Sequence, residues 1–194
     1  MMQWLAADLA LTTRSWIVAY FHHPPYSKGS HDSDSPGESG GRLFDMREIA
    51  VPILENGGVD LVLCGHSHSY ERSFLLDGHY GTSATLLPEM ILDDGDGRPT
   101  GTGAYRKMSG PHQGAVYVVA GSSGWTSGGS LDHPVMSSSW NELGSLVLDV
   151  DAARLDATFI DTNGDPLDTF TLIKTLFHDG FESGDLSAWS RDFP

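Results

Sequence analysis

Two short histidine clusters carry the chemistry this sequence could perform. One is Phe21-His22-His23-Pro24-Pro25-Tyr26. The other is Gly65-His66-Ser67-His68-Ser69-Tyr70-Glu71-Arg72. Each directly follows a short apolar run, Ser15 to Phe21 in the first case and Val59 to Cys64 in the second. Imidazole nitrogens suit Zn, Fe, Mn and similar cations. In His-x-His, two rings share a side of an extended backbone, or splay around adjacent ions on a turn. Two cations about 3.5–4 Å apart clamp the attacking and leaving oxygens of a displacement at phosphorus. A lone His-x-His pair says little; two clusters at the ends of two apolar runs say more.

The elements that must position them can be read from periodicity. Residues 3–12 read as an amphipathic helix with Trp4, Leu5 and Leu9 at helical spacing. The two apolar runs read as buried strands, whose carboxyl ends face the ligand crevice in an α/β sheet. Residues 24–42 are a Pro-, Ser- and Gly-rich loop. A helix over 43–56 follows, split by Pro52 and ended by Asn56-Gly57-Gly58. Short strands are expected at 73–76, 115–120, 145–150, 155–160 and 169–174, the middle pair forming a hairpin through 151–154. Residues 93–114 read as a long surface loop. Residues 1–174 would form one partial domain, and 175–194 an appended tail.

Composition narrows the partners. Eleven Lys and Arg against 26 Asp and Glu give a net charge of −15. That argues against nucleic acid and anionic membrane surfaces, which recruit cationic side chains. The single cysteine, Cys64, allows no intrachain disulfide and reads as a small core residue. No apolar run is long enough to span a bilayer. Met1-Met2-Gln3-Trp4 lacks the basic-then-apolar pattern of a signal peptide. Asp161-Thr162-Asn163-Gly164-Asp165 resembles the start of a calcium loop. However, Pro166 and Leu172 occupy positions that need Gly and Glu, so a turn between strands is the better reading.

The segments FHHPPYS, VDLVLCGHSHSYERS and AVYVVAGSSG, in that order, resemble the C-terminal half of the calcineurin-like metallophosphoesterase superfamily. GHSHSYER is similar to its purple acid phosphatase-like branch. The resemblance runs from about Gln3 to Lys174. It implies an α/β (α+β) fold, the C-terminal half of a four-layer αββα sandwich, and metal-dependent hydrolysis of small phosphate esters at a dinuclear site. It implies that His22 and His66 bind one metal and His68 the other. His31 would touch substrate phosphate and could give a proton to the leaving group. His23, Tyr70 and Arg72 would stand behind the ligands, with Tyr26 packed nearby and Glu71 and Arg72 paired to fix the loop. His79, His112, His133 and His178 fit no cluster and read as surface or loop residues.

The resemblance also implies what is absent. The family's Asp-x-His, Gly-Asp and Gly-Asn-His motifs do not occur here in a matching context. The expectation is therefore a fragment that needs the missing N-terminal half of the fold as its partner. Two ions (Fe, Zn or Mn) would sit in the complete protein, and at most one would be held well by this chain. The isolated chain would be nearly inactive. The rival readings are a non-catalytic metal-binding or structural remnant and, more remotely, a single-metal three-histidine enzyme using oxygen. The segment DGFESGDLSAWS resembles a tail of secreted bacterial proteins, which suggests export.

Overall fold

A computed structural model describes residues 1–175. Two sheets and a helical layer make up these residues. The first sheet contains β1 (Val18–Phe21), β2 (Leu61–Cys64), β7 (Val116–Ala120), β3 (Tyr70–Ser73) and β8 (Met136–Trp140), in that spatial order. β1, β2 and β7 run parallel, and β3 is antiparallel to both β7 and β8. The second sheet has the order β6 (Tyr105–Lys107), β11 (Pro166–Lys174), β10 (Arg154–Asp161), β9 (Gly144–Val150). A small pair, β4 (Leu75–Leu76) and β5 (Ile91–Asp93), stands apart. The mixed α/β reading of the sequence holds. The appended tail and His178 lie outside the described residues, Thr175 excepted.

Period-two alternation explains why the middle strands are apolar without a break. Along β2, Leu61 and Leu63 join the core between the sheets, while Val62 and Cys64 join the core under the helices. Val116, Tyr117 and Val118 of β7 divide in the same way. A parallel strand covered on both faces must read as a continuous hydrophobic run. Leu9 of α1 (Met2–Leu11) and Val51 and Leu54 of α3 (Val51–Asn56) supply the helical side. α3 continues a helix begun by α2 (Arg42–Asp45), through a wide π turn at Met46–Ala50 in which Val51 N–H reaches Met46 O. Pro52 has no N–H, and its ring would strike the carbonyl four residues back, so the π turn opens the ladder where the sequence signalled a break.

Two buried ionic clusters pin the sheets together. Asp168 of β11 accepts from Arg72 Nε at 2.6 Å and Tyr70 Oη at 2.8 Å, both on β3. Asp60, just before β2, pairs with Lys107 of β6 at 2.7 Å and Lys174 of β11 at 2.6 Å. β6 and β8 were not legible in the sequence: one is three residues inside a Gly-rich stretch, and the other, MSSSW, has no apolar alternation.

A histidine cluster at the strand ends

In β1 and β2, Phe21 is the register partner of Cys64, so His22 and Gly65 leave the sheet side by side, with Gly65 N–H donating to His22 O at 3.1 Å. The chain then makes a γ-turn of the rarer hand. Ser67 N–H donates to Gly65 O at 2.7 Å, and His66 takes φ +65°. Only His66, not Gly65, adopts the left-handed conformation; a Cβ on Gly65 would meet nothing nearer than His22 Nδ1 at 3.9 Å. The steric need for glycine lies opposite, at Gly121 after β7, where a Cβ would fall 1.9 Å from Ser67 O.

This geometry gathers His22, His23 and His66. One ring nitrogen from each lies within 4.8 Å of the others. His66 Nδ1 is 3.1 Å from His22 Nε2. The ring of His31 stacks on His66 with centroids 4.0 Å apart. His31 Nδ1 is 2.6 Å from Glu38 Oε1, and Ser39 Oγ is 2.5 Å from His66 Nε2. His68 is exposed and is not one of the three. Its N–H donates to Ser30 Oγ at 3.0 Å, and its carbonyl accepts from Ser127 N–H. His23, expected behind the ligands, takes a place within the group.

The electrostatics suit a cation. Burial, then the neighbouring His31, His23 and His22, lower the pKa of His66 to about 4. Burial and then His22, Arg42 and His31 also lower that of His23. At neutral pH both rings are in the uncharged form that ligates metals. Glu38 is held below the usual carboxylate range, chiefly by its bond to His31. Three imidazole nitrogens within this span fit one borderline divalent cation with an open coordination position. The group contains no carboxylate, so it does not by itself provide the charge that a second cation needs.

Tyr70 and Arg72 do not stand behind the histidines. Both face the second sheet, where Tyr70 stacks on Phe159 at 4.1 Å and Arg72 binds Asp168. Nor do Glu71 and Arg72 pair, because consecutive strand residues point to opposite faces. Buried Glu71 instead faces the histidine loops: its Oε1 accepts from Ser27 and Ser69 hydroxyls, each at 2.7 Å, and its Oε2 from Lys28 N–H at 2.8 Å. Tyr26 is buried between His79 and Tyr117, and its hydroxyl donates to His79 O.

His79 and His133, read as surface residues, are buried; His112 is exposed as expected. A second group, Glu55, Asp77 and His112, has metal-like spacing. The Glu55 carboxylate there already accepts from Tyr80 and Tyr117 hydroxyls and Gly78 N–H. Glu38, Ser39 and the Glu71 contacts were not foreseen. Glu38 and Ser39 sit in a Gly-rich loop with no periodicity, and the burial of Glu71 depends on strand register.

The family model for calcineurin-like phosphoesterase matches residues 2–70, the segment that carries both histidine clusters. Purple acid phosphatase 22 of Arabidopsis thaliana is 42% identical over 74 residues, 36% of this chain and 15% of that protein. An uncharacterized protein of Mycobacterium tuberculosis is 34% identical over 91 residues, 44% of this chain and 16% of that protein. Among solved structures, a purple acid phosphatase from yellow lupin seeds aligns with a TM-score of 0.63 at 17% identity, covering 90% of this chain and 28% of that chain. GAP50 of Plasmodium aligns at 0.58 and 13% identity, covering 90% of this chain and 42% of that chain. The stretch matched is therefore less than half the length of each of these relatives. Residues 2–70 match the calcineurin-like phosphoesterase family model, the chain resembles purple acid phosphatases in sequence, and it shares the fold of the lupin purple acid phosphatase over 90% of its length.

Proposed function

We propose that these histidines form part of a site for metal-dependent hydrolysis of small phosphate esters, and that this chain supplies one side of it. The observation that carries the proposal is the convergence of His22, His23 and His66 at the carboxyl ends of adjacent parallel strands. A cation held there would neutralise charge on a phosphoryl oxygen and acidify a water. The chain's own groups account for the rest. His31, stacked on His66 and oriented through Nδ1 by Glu38, keeps its other ring nitrogen for proton transfer to a leaving oxygen. His68, in the exposed turn beside the group, is the candidate ligand of a second cation in a dinuclear site.

The carboxylates for that second ion would come from additional polypeptide of the same fold. Two observations support this. The chain aligns with only 28% of the lupin phosphatase. β1 is an edge strand of the first sheet, and Tyr20 on it is 84% exposed. An open strand edge invites pairing with another strand, so we place the complementary half there. The resemblance of the tail favours an exported protein. No helix of the described residues is long and apolar enough to cross a membrane.

The test is metal titration with p-nitrophenyl phosphate hydrolysis. The 194-residue chain should bind about one equivalent of Zn(II), lose it on His22→Ala or His66→Ala, and turn over substrate barely above background. Metal binding indifferent to both substitutions would refute the site, and robust turnover would refute the need for a second half. The rival reading, a non-catalytic metal-binding remnant, draws on the lack of a carboxylate in the three-histidine group. It wins if the flanking polypeptide supplies none and the longer protein stays inert with Zn, Mn or Fe.

A further inference from the structure

Two loops bring histidines to the site from different parts of the chain. One, residues 24–33, carries His31. The other, residues 65–69, carries His66 and His68. Between them lies a sealed polar knot in which Ser27, Ser67, Ser69 and Glu71 are all fully buried. Glu71 Oε1 accepts from the hydroxyls of Ser27 and Ser69, and Oε2 accepts from Lys28 N–H. Ser27 Oγ lies 2.8 Å from Ser67 Oγ and accepts from Gly29 N–H at 3.1 Å. One assignment satisfies every proton. Ser27 and Ser69 donate to the carboxylate, and Ser67 and Gly29 donate to Ser27. It requires an acceptor-only group at position 71. No cation touches Glu71 among the described residues; its partners are hydroxyls and one backbone N–H, all on the two loops or at their edges.

Packing is equally specific. A Cβ on Gly29 would fall 2.1 Å from Ser69 Oγ, 2.4 Å from Ser67 Oγ and 2.7 Å from Glu71 Oε1. Gly29 is two residues from His31, and Ser67 is next to His66. The knot therefore sets the separation of the two loops, and with it the 4.0 Å stack of His31 on His66.

We propose that Glu71 is a positioning residue: its buried carboxylate ties the His31 loop to the His66 loop and so fixes the register of the proton-transfer histidine against the metal-binding ones. Its bearing on metal binding rests on the function proposed above, whereas the geometric claim does not.

The experiment uses the full chain, first without metal and then with Co(II) as the probe. The imidazole C–H resonances of His31 and His66 are assigned by substituting each in turn. Glu71→Gln keeps the shape but turns an amide NH2 donor onto either the Lys28 N–H or the two serine hydroxyls. Gly29→Ala forces the loops apart. Both should shift the two resonances together, weaken Co(II) binding about tenfold, within the usual range for groups behind the ligands, and alter the ligand-field spectrum. Glu71→Asp should recover part of the loss. Tyr105→Phe, which breaks bonds on the far face of β3, should do neither. Should Glu71→Gln fail to fold, Ser67→Ala carries the same test with a smaller shift. The proposal is overturned if the resonances and Co(II) affinity of the knot variants match the parent. It is also overturned if Tyr105→Phe shifts them as much, since the effect would then be general loosening. If the resonances move but Co(II) binding ignores His66→Ala, the positioning claim stands and the proposed metal site falls.

Discussion

Acid should unfold this chain through His79, and the size of the effect follows from its surroundings. His79 is fully buried, neither ring nitrogen has a protein hydrogen-bond partner, and its ring stacks on Tyr26 at 5.5 Å. Burial first, and then the nearby Arg47 guanidinium, lower its pKa to about 4. The unfolded chain titrates near about 6.5. Above that pH the imidazole is neutral in both states and costs nothing. As pH falls through the window from about 6.5 to 4, the unfolded state takes up the proton first, so stability is lost. At about 1.4 kcal/mol per pH unit, the full window is worth ~3 kcal/mol, of which ~2 kcal/mol is gone by about pH 4.5. His79→Leu nearly conserves volume, removes the titration, and exchanges a ring with unpartnered nitrogens for an apolar side chain, so it should be close to neutral at pH 7. Urea unfolding of parent and variant at pH 7 and pH 4.5 measures the difference. The parent should lose ~2 kcal/mol more than the variant. His133, whose pKa is lowered to about 3 mainly by burial, adds its own acid sensitivity to both proteins and does not cancel the difference. Equal pH dependence in the two proteins would show that His79 gains its proton without unfolding, and the reasoning would fail.

Three further outcomes follow from the same geometry. Asp168→Asn removes the buried acceptor shared by Arg72, Tyr70 and Arg98 and should cost roughly 3–5 kcal/mol in chemical denaturation, the scale for a stranded buried charge; Zn(II) affinity should not move, because the cluster lies on the face of β3 away from the histidines. Asp60→Asn strands Lys107 and Lys174 against the sheet and should destabilise by a similar amount. A loss below about 1 kcal/mol would show that the lysines reach water instead. Gly121→Ala, whose Cβ would meet Ser67 O at 1.9 Å, should displace the His66 turn and weaken Zn(II) binding about tenfold with little change in far-UV circular dichroism. Unchanged affinity in calorimetric titration would mean that the turn shifts without carrying His66 along.

The strand triplet Tyr70-Glu71-Arg72 shows both how far the sequence could be read and where it stops. The two apolar runs, each ending in histidines, announced buried strands and a ligand-facing edge, because a strand covered on both faces leaves a continuous apolar signature in residue type alone. His22 and His66 could be placed from that. The partners of the triplet could not. A Glu next to an Arg looks like an ion pair in one dimension, but in a strand they face opposite ways. Here Arg72 closes the sheet-to-sheet clamp with Asp168, 96 residues away, while Glu71 turns to a loop 43 residues back. Sequence separation of that kind leaves no periodic trace. The same holds for His79 and His133, whose burial comes from packing around Tyr26 rather than from any pattern near them. β3 therefore divides its work by parity: the odd residue serves the site, and the even ones hold the sandwich together. Substitutions at Glu71 and Arg72, though adjacent, should then be additive in stability and differ in kind, with only the first disturbing the histidines.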